Sequence, residues 1–342
     1  MLQHGGKRRQ AASCYGIPLD HWMDLSTGIN PNGWQDGMQK AMPPASTWAR
    51  LPEDEDGLHR AACDYYGAND LLPVAGSQAA IQAIPKLRPK CNVAVLAPSY
   101  NEHAHAWIRA GHQVNLICAE QLHTAIDDHD VVVVVNPNNP TGVCFDVETL
   151  LGWHQRLASR GGCLIVDEAF MDSTPAHSLA AYSHTEGLIV LRSLGKFFGL
   201  AGARVGFVLA ARKSLNLLAQ ELGPWTINGP ARWLAEKALS DRIWQVAMRE
   251  KLQRQSLRLH GLLNDRQLAP DGGSTLFQSI VTEQALLIHQ QLAQQGILTR
   301  LFEATTQSLP RLRFGLPANE PEWQRLQKAL LELDIPLMEL TA

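Results

Sequence analysis

Short apolar runs alternate with longer amphipathic segments through the middle of the chain. The segment "VETLLGWHQRLASRGG" shows helical periodicity and ends in a glycine pair suited to a helix C-cap. Strands that alternate with helices in this way are typical of a mainly parallel sheet covered by helices. The pattern therefore predicts an α/β fold. The strand candidates are 92–98, 131–137, 163–169, 188–193 and 205–210.

The hydrophobic pattern changes after "ELGPWTINGPA", where the apolar runs stop. Gln- and Leu-rich amphipathic segments follow at 230–263, 282–295 and 319–334. We therefore predict a large domain at 46–228 and a smaller α+β domain at 229–342. Residues 1–45 are rich in turn signals and hold no clear strand, so we expect an N-terminal arm that joins the smaller domain.

The amino-acid composition indicates which kind of partner and which cellular compartment to expect. The 342 residues are 45% hydrophobic and 18% charged, with 30 Lys and Arg against 33 Asp and Glu. This balance does not favour a nucleic-acid partner and favours a small molecule. The six cysteines form no C-x-x-C pair, and no apolar stretch reaches the ~18 residues of a membrane helix. We expect a cytoplasmic protein with no membrane partner and no metal site.

A candidate phosphate site lies in "PVAGSQAAIQAI". Gly76, Ser77 and Gln78 stand at a predicted helix start, where free backbone N–H groups and the helix dipole favour an anion. A serine at this place is also a common N-cap, so the structural alternative stays open.

Further candidates follow three of the predicted strands. "NPNNPTG" at 136–142 ends one strand, Asp167 ends the next in "CLIVDEAF", and Lys196 follows "LIVLRS" in a glycine-rich loop. Ligand groups of α/β sheets lie at such carboxyl ends. Each residue also has a plain structural explanation: a turn for the Asn-Pro run, a helix N-cap for Asp167, and a solvated loop position for Lys196.

Together these groups would lie at one edge of one sheet and supply a phosphate cradle, a carboxylate, an amide and an amine. Pyridoxal phosphate requires this set, because its phosphate suits a helix N-terminus, its aldehyde condenses with a lysine and its ring nitrogen pairs with a carboxylate. The residues therefore predict pyridoxal 5'-phosphate as cofactor.

The ordered motifs "NPNNPTG", "DEAF" and "SLGKFFGLAGAR" resemble the aspartate aminotransferase superfamily of pyridoxal-phosphate enzymes, from about residue 24 nearly to the C-terminus. The resemblance implies that Lys196 bonds the cofactor, Asp167 pairs with its ring nitrogen and Asn139 with its ring hydroxyl. Tyr100 would stack on the ring, although packing explains a tyrosine there equally well. The implied phosphate ligands are Gly76, Ser77, Gln78, Ser193 and Arg204.

The same resemblance implies that Arg313 holds the substrate's α-carboxylate, with Arg311 as an alternative register. Two positions depart from the superfamily pattern. Phe170 replaces a tyrosine that donates to the ring oxygen, and Leu51 replaces a tyrosine that reaches the neighbouring subunit's cofactor. We still expect a homodimer, with less support for an active site shared between subunits.

The N-terminal motifs narrow the resemblance. "HGG" at 4–6, "DLSTGINPNG" at 24–33 and "DEAFMD" at 167–172 are similar to the L-threonine-O-3-phosphate decarboxylase family of cobalamin biosynthesis. That likeness implies that His4 and Asn30 surround the substrate phosphate. A disordered terminal histidine and a plain turn asparagine are the structural alternatives.

The expected reaction is decarboxylation of L-threonine O-3-phosphate to (R)-1-amino-2-propanol O-2-phosphate and CO2. One alternative is a histidinol-phosphate aminotransferase or a related class II aminotransferase. The other is a non-catalytic pyridoxal-phosphate protein that acts in an assembly or in regulation, which the intact lysine argues against.

Overall fold

The computed structural model describes residues 4–34, 42–304 and 308–334. The chain forms two compact units: Asn32–Glu250 is one, and Met1–Pro31 with Lys251–Ala342 is the other. We call them the large and the small unit. The helices of the described residues are α1 Arg8–Tyr15, α2 Ser46–Ala49, α3 Leu58–Tyr66, α4 Ser77–Ala83, α5 Glu102–Arg109, α6 Leu122–Ala125, α7 Val147–Ala158, α8 Arg212–Leu222, α9 Gly229–Ser240, α10 Arg242–Asn264, α11 Ala285–Gln294 and α12 Glu320–Leu331. The strands are β1 Met23–Asp24, β2 Leu72–Val74, β3 Asn92–Leu96, β4 Gln113–Ile117, β5 Val131–Val135, β6 Cys163–Asp167, β7 Leu188–Ser193, β8 Gly206–Ala210, β9 Gly272–Ser274, β10 Phe277–Val281, β11 Ile297–Leu298, β12 Arg300–Phe302 and β13 Arg311–Gly315.

The large unit is built on a seven-stranded sheet in the order β2-β8-β7-β6-β5-β3-β4. Strand β8 runs antiparallel to both neighbours, and the other neighbouring pairs are parallel. All five valines of β5 are buried, as in a strand covered on both faces. The expectation of a mainly parallel α/β sheet is confirmed.

One face of this sheet packs on α4, α5 and α8. Alternate strand residues such as Val133, Ile165 and Leu191 form a core with side chains from these helices. Because side chains alternate along a strand, Asp167 shares this face with Ile165, whereas Glu168 points to the other face.

The small unit contains a four-stranded antiparallel sheet in the order β12-β13-β10-β9 and a parallel pair formed by β1 and β11. Helix α11 packs against β11, β12 and β13. This arrangement of helices and antiparallel strands agrees with the α+β character expected for the smaller domain.

The boundaries between the units differ from the expected positions after residues 45 and 228. Helix α9 packs against α3 and α2 of the large unit, and a Cβ on Gly229 would lie 2.4 Å from the carbonyl oxygen of Thr47. Trp34 likewise donates from Nε1 to Asp241, at 2.9 Å. These contacts place 32–34 in the large unit, where turn-rich sequence without a clear strand had suggested the smaller one, and likewise 229–250, where the amphipathic pattern had suggested it.

All six cysteines lie within the described ranges as thiols. Within the same ranges, the helices are too short or too polar to cross a lipid bilayer.

Candidate active site

The candidate residues of the large unit lie where β5, β6 and β7 end. Asp167 is the last residue of β6, and its backbone is in register with Val135 of β5 and Leu191 of β7. The turn that carries Asn139 follows β5, and the loop that carries Lys196 follows β7. The parallel register therefore brings the three segments to the same edge of the sheet.

The Asp167 carboxylate is buried and held by two hydrogen bonds. Nε2 of His103 lies 2.8 Å from Oδ2 of Asp167, and the backbone N–H of Ala169 donates to Oδ1 at 3.0 Å. A carboxylate accepts only, so we assign the proton of this contact to Nε2 of His103. His103 is also buried, and it fixes the rotamer of Asp167 from the first turn of α5.

A second group of residues forms a cradle of small residues next to a cation. A Cβ on Gly76 would lie 2.6 Å from Nη2 of Arg204, and a Cβ on Gly206 would lie 2.5 Å from the backbone nitrogen of Ser77. Gly206 pairs with Ser193 across β7 and β8. Gly76, Ser77, Ser193 and Arg204 therefore converge, with the Arg204 guanidinium beside the start of α4.

Gln78 and Tyr100 join this cradle to Asp167. The Tyr100 hydroxyl donates to Oε1 of Gln78 at 3.1 Å, and its ring meets the ring of His103 edge-on at 6.1 Å. Burial, together with the nearby carboxylates of Glu102 and Asp167, raises the pKa of Tyr100 to about 12. The phenol therefore stays neutral and presents its ring rather than a charge.

Lys196 is half-buried, and its Nζ lies 5.2 Å from the centroid of the Phe170 ring. Phe170 is buried and follows Asp167 by three residues, so the amine and the carboxylate segment lie near each other. Asn139 is half-buried in the turn whose preceding residue, Asn138, accepts a 2.7 Å hydrogen bond from Ser99.

A buried ionic network lies on the opposite side of the Asp167 strand. Nη1 of Arg192 is 2.6 Å from Oε2 of Glu168, and its Nη2 contacts Oδ1 of Asp172. Asp172 also accepts a hydrogen bond from the hydroxyl of Tyr65, and Arg249 donates to the backbone oxygen of Asp172 at 2.9 Å. Burial raises the pKa of Glu168, against the pull of the Arg192 cation. This network ties the segment 168–172 to the strand that leads to Lys196.

In the small unit, Arg313 is a buried cation on β13. Its Nη2 donates to the backbone oxygen of Ser26 at 2.6 Å, and its guanidinium lies 5.1 Å from the Phe277 ring. Burial, with a further contribution from Arg300, lowers the pKa of Arg313 to about 9, while Asp24 acts in the opposite direction. Arg300 is the cross-strand partner of Arg313. Like charges directly opposite each other destabilise a sheet, so an anion bound beside them would relieve the repulsion.

Arg311, the alternative to Arg313, is engaged elsewhere. Both of its terminal nitrogens lie 2.6 Å from the carboxylate oxygens of Asp271, and Nη1 also donates to Ser279. A guanidinium paired bidentately with a carboxylate is poorly placed to take a second one.

The N-terminal motif packs against the segment that follows β1. The backbone N–H of Gly6 donates to Oγ of Ser26 at 2.7 Å, and a Cβ on Gly5 would lie 2.4 Å from the Ser26 carbonyl oxygen. His4 is exposed, whereas Asn30 is buried. Gly5 is thus required by the close approach of two backbones, and Gly6 by its positive φ of 80°.

His4 lines a cavity of about 280 Å³ within the small unit, together with cationic side chains. Among the described residues that line it, none is acidic. A phosphate would be well matched by this lining. The polar and charged side chains of the lining are His4, Lys7, Gln10, Cys14, Tyr15, Ser26, His289, Thr299 and Arg300.

The donor set of the large unit fits pyridoxal phosphate in its chemistry. A cradle that side chains would fill lies beside Arg204, a buried carboxylate is oriented by His103, and an amine is half-buried nearby. These groups match the phosphate, the ring nitrogen and the aldehyde respectively.

Sequence reasoning missed several residues of the site. His103, Arg300, Ser26 and the Arg192 network were not among the candidates. His103 had a readable signal, because it follows Tyr100 by three residues at a helix start, the spacing that puts two side chains near each other. Gly6 and Arg313, two of the partners of Ser26, lie 20 and 287 positions away from it in the chain and gave no such signal.

Comparison with known proteins gives consistent matches. A profile of the family described as aminotransferase class I and II matches residues 20–329. Threonine-phosphate decarboxylase of Pseudomonas aeruginosa is 54% identical over 339 residues, which cover 99% of this chain and 100% of that protein. A protein of the same name from a Sinorhizobium species is 39% identical over 98% of this chain and 99% of that protein.

Among solved structures, histidinol-phosphate aminotransferase from Sinorhizobium meliloti, in complex with pyridoxal-5'-phosphate, matches with a TM-score of 0.83. The match covers 97% of this chain and 98% of that chain, at 19% identity. At that identity it shows the fold alone, and the aminotransferase-like architecture expected from the sequence is confirmed.

Proposed function

The chain belongs to the class I and II aminotransferase family, and we propose that it is a pyridoxal-phosphate-dependent lyase that decarboxylates L-threonine O-3-phosphate. The products are (R)-1-amino-2-propanol O-2-phosphate and CO2. The observation that carries the proposal is 54% identity, over almost the whole chain, to a threonine-phosphate decarboxylase. We place the reaction in cobalamin biosynthesis, as a cytoplasmic step.

Pyridoxal phosphate is the cofactor, and when bound it supplies an electron sink for the pair of electrons that the departing CO2 leaves behind. We assign Asp167 to hold a proton on the ring nitrogen and Asn139 to bond the ring hydroxyl. Tyr100 would cover the ring. The phosphate ligands we assign are Gly76, Ser77, Gln78, Ser193 and Arg204.

Lys196 has two tasks in this proposal. Its amine would hold the cofactor through the aldehyde before substrate arrives, and would be released when the substrate amine takes its place. The released amine, which would take up the proton that the substrate ammonium gives up on binding, would then donate that proton to the substrate Cα that has lost CO2. The half-buried position of Lys196, with its Nζ 5.2 Å from the centroid of the Phe170 ring, supports these tasks, because it places the amine beside the segment that carries Asp167.

Substrate selection needs two anchors. We assign the carboxylate to Arg313, whose buried guanidinium gains from a bidentate anion. We assign the substrate phosphate to His4 and Asn30, and add Lys7 and Arg300 because they line the cationic cavity with His4. Two anchors fix the torsion at the amino acid's Cα and thereby decide which of its bonds breaks.

We further propose a homodimer. In the large unit, Trp48 is 72% exposed, Leu51 64% and Trp225 59%. Leu51 precedes Pro52, which lines the same cleft as Trp225. Large apolar side chains that are exposed together are typical of protein contact surfaces. A leucine lacks the hydroxyl that would reach a neighbour's cofactor phosphate, so each subunit should hold its phosphate with its own residues.

A paired assay tests the function. Purified protein with pyridoxal phosphate is given threonine phosphate, and CO2 is measured. In parallel it is given histidinol phosphate with 2-oxoglutarate, and glutamate is measured. We expect CO2 without any 2-oxo acid, and little glutamate.

The other outcomes identify the competing functions. Glutamate formation without CO2 would assign the chain to the histidinol-phosphate aminotransferases, which share its fold. No turnover of either substrate by protein that binds the cofactor would favour a non-catalytic role.

A further inference from the structure

Ser26 contacts both of the regions to which the proposed function assigns substrate anions. Its backbone oxygen accepts the 2.6 Å hydrogen bond from Nη2 of Arg313. Its side-chain oxygen accepts the 2.7 Å hydrogen bond from the backbone N–H of Gly6, two residues after His4. Ser26 therefore contacts the carboxylate anchor, Arg313, through its backbone, and through its side chain it contacts the N-terminal segment 4–6, which we call the phosphate arm.

The hydroxyl of Ser26 is itself held in one orientation. It donates to Oδ1 of Asp24 at 2.6 Å, and the Ser26 backbone N–H donates to the same oxygen at 2.8 Å. A hydroxyl has a single proton, so donation to Asp24 leaves its lone pairs for the N–H of Gly6. Ser26 is 2% exposed, so water does not readily replace these bonds.

The N-terminal segment packs closely against the carbonyl group of Ser26. A Cβ on Gly5 would lie 2.4 Å from the Ser26 oxygen, the atom that Arg313 binds. The first segment of the chain and the guanidinium thus approach the same carbonyl group. Ser26 also lines the cationic cavity with His4 and Arg300.

We propose that Ser26 is a positioning residue that joins the phosphate arm to the carboxylate anchor and so selects substrates that carry both anions. The inference rests on the proposed function for the identity of the two anions. Ser26 itself need not touch the substrate, because it acts through Gly6 on His4 and through its carbonyl group on Arg313.

The test compares wild-type holoenzyme with Ser26→Ala and with a matched control, Ser256→Ala. Ser256 lies in the same unit, and its hydroxyl also donates once and accepts once, to Ser274 and from Gln278. The Ser26→Ala change removes the two hydrogen bonds of the hydroxyl, from Gly6 and to Asp24, but leaves the backbone N–H bond to Asp24 and the carbonyl group that Arg313 binds.

Binding is measured from the change in cofactor absorbance in the first milliseconds after mixing, with threonine phosphate and with L-threonine. We expect Ser26→Ala to weaken the binding of threonine phosphate about tenfold, equal to about 1.4 kcal/mol. The affinity for L-threonine should change by less than about twofold. Ser256→Ala should leave the ratio of the two affinities unchanged. An equal effect of Ser26→Ala on both ligands, or on neither, would overturn the proposal.

Hydrogen exchange of the N-terminal peptide through Tyr15 supplies a readout that needs neither ligand nor turnover. Ser26→Ala should speed exchange in this peptide, and Ser256→Ala should not. Unchanged exchange in Ser26→Ala would contradict the claim that the Ser26 hydroxyl holds Gly6 in place. Faster exchange with an unchanged ratio of affinities would show that Ser26 has a structural role only, and would overturn the proposal.

Two safeguards keep the test decisive. If Ser26→Ala does not fold, Gly5→Ala displaces the same arm through its clash with the Ser26 carbonyl group and should give the same affinity pattern. Binding does not require decarboxylation, so wild-type protein that binds threonine phosphate but releases no CO2 would reject the proposed reaction and still report on Ser26.

Discussion

At the scale of single residues, each unit holds a buried candidate charge in place through neighbouring groups. Asp167 is fixed by His103 and by a backbone N–H, and Arg313 is fixed by the Ser26 carbonyl group. Both side chains are buried, so a rearrangement on ligand binding would leave a buried charge without its partner, which costs free energy. Preorganised charges of this kind are an efficient way to stabilise a reaction's changing charge.

Phe170 should set how easily the cofactor-bonded Lys196 loses its proton. Phe170→Tyr adds a hydroxyl that donates to the ring oxygen and thereby favours the deprotonated form, so the pKa of the bond between Lys196 and the cofactor should fall. A spectrophotometric pH titration of both holoproteins measures it. Coinciding curves would show that position 170 does not tune the cofactor.

Arg313→Lys should raise the KM for threonine phosphate about tenfold to a hundredfold. A lysine replaces the two parallel hydrogen bonds of a guanidinium with one, and a charge-assisted hydrogen bond contributes about 1.5–3 kcal/mol. Arg311→Lys is the matched control, because Arg311 already binds Asp271. A larger effect at 311 than at 313 would reverse the assignment of the two arginines.

Several candidate cofactor residues could be picked out from the sequence, because these polar residues stand directly after apolar runs. Asp167 and Lys196 were candidates on that ground. His103 and Ser26 were missed because neither ends a run, and Ser26 meets Arg313 across 287 positions of the chain. The resemblance supplied the assignment of Arg313, whose β-strand alone shows only two arginines in alternate positions.

At the scale of elements, β6 and β7 carry the site on one face and an ionic network on the other. Arg192 bridges Glu168 and Asp172, which flank the turn that holds Phe170. The backbone register fixes the relative position of the two strands, and the Arg192 bridge fixes the position of the turn that follows β6. A buried network of this kind confers one arrangement rather than several.

Arg192→Met should lower the free energy of unfolding by about 3–5 kcal/mol, because it leaves two buried carboxylates without their cation. Urea unfolding followed by tryptophan fluorescence measures the change. Arg156→Met is the control: Arg156 pairs with exposed Asp127, so its loss should cost far less than the loss of Arg192. Similar costs for the two variants would show that the buried network adds no stability.

The sequence pattern predicted five of the seven strands of the large sheet and missed β2 and β4. The five apolar runs became β3, β5, β6, β7 and β8 within two residues at either end. Strand β2 has three residues and β4 is largely exposed, so neither produces an apolar run. The segment 230–263 became two helices, α9 and α10, which meet at Asp241; amphipathic periodicity continues across such a break and does not reveal it.

At the scale of the whole molecule, exposed apolar residues of the large unit predict self-association. Trp48→Lys combined with Leu51→Lys places two charges in that surface and should convert a homodimer to monomer in sedimentation velocity. Ile108→Lys changes an exposed apolar residue of α5 and should leave the dimer intact. A wild type that sediments as a monomer, or an undisturbed dimer in the double variant, would exclude this surface as the interface.

The central claim, that pyridoxal phosphate bonded to Lys196 drives the reaction, is tested most directly by trapping that bond. Holoprotein is reduced with borohydride and digested with a protease, and the peptide masses are measured by mass spectrometry. We predict that the reduced cofactor is found on the peptide containing Lys196, that the visible absorbance disappears and that CO2 release from threonine phosphate stops. A label at another lysine, or protein that acquires no visible absorbance with the cofactor, would contradict the account.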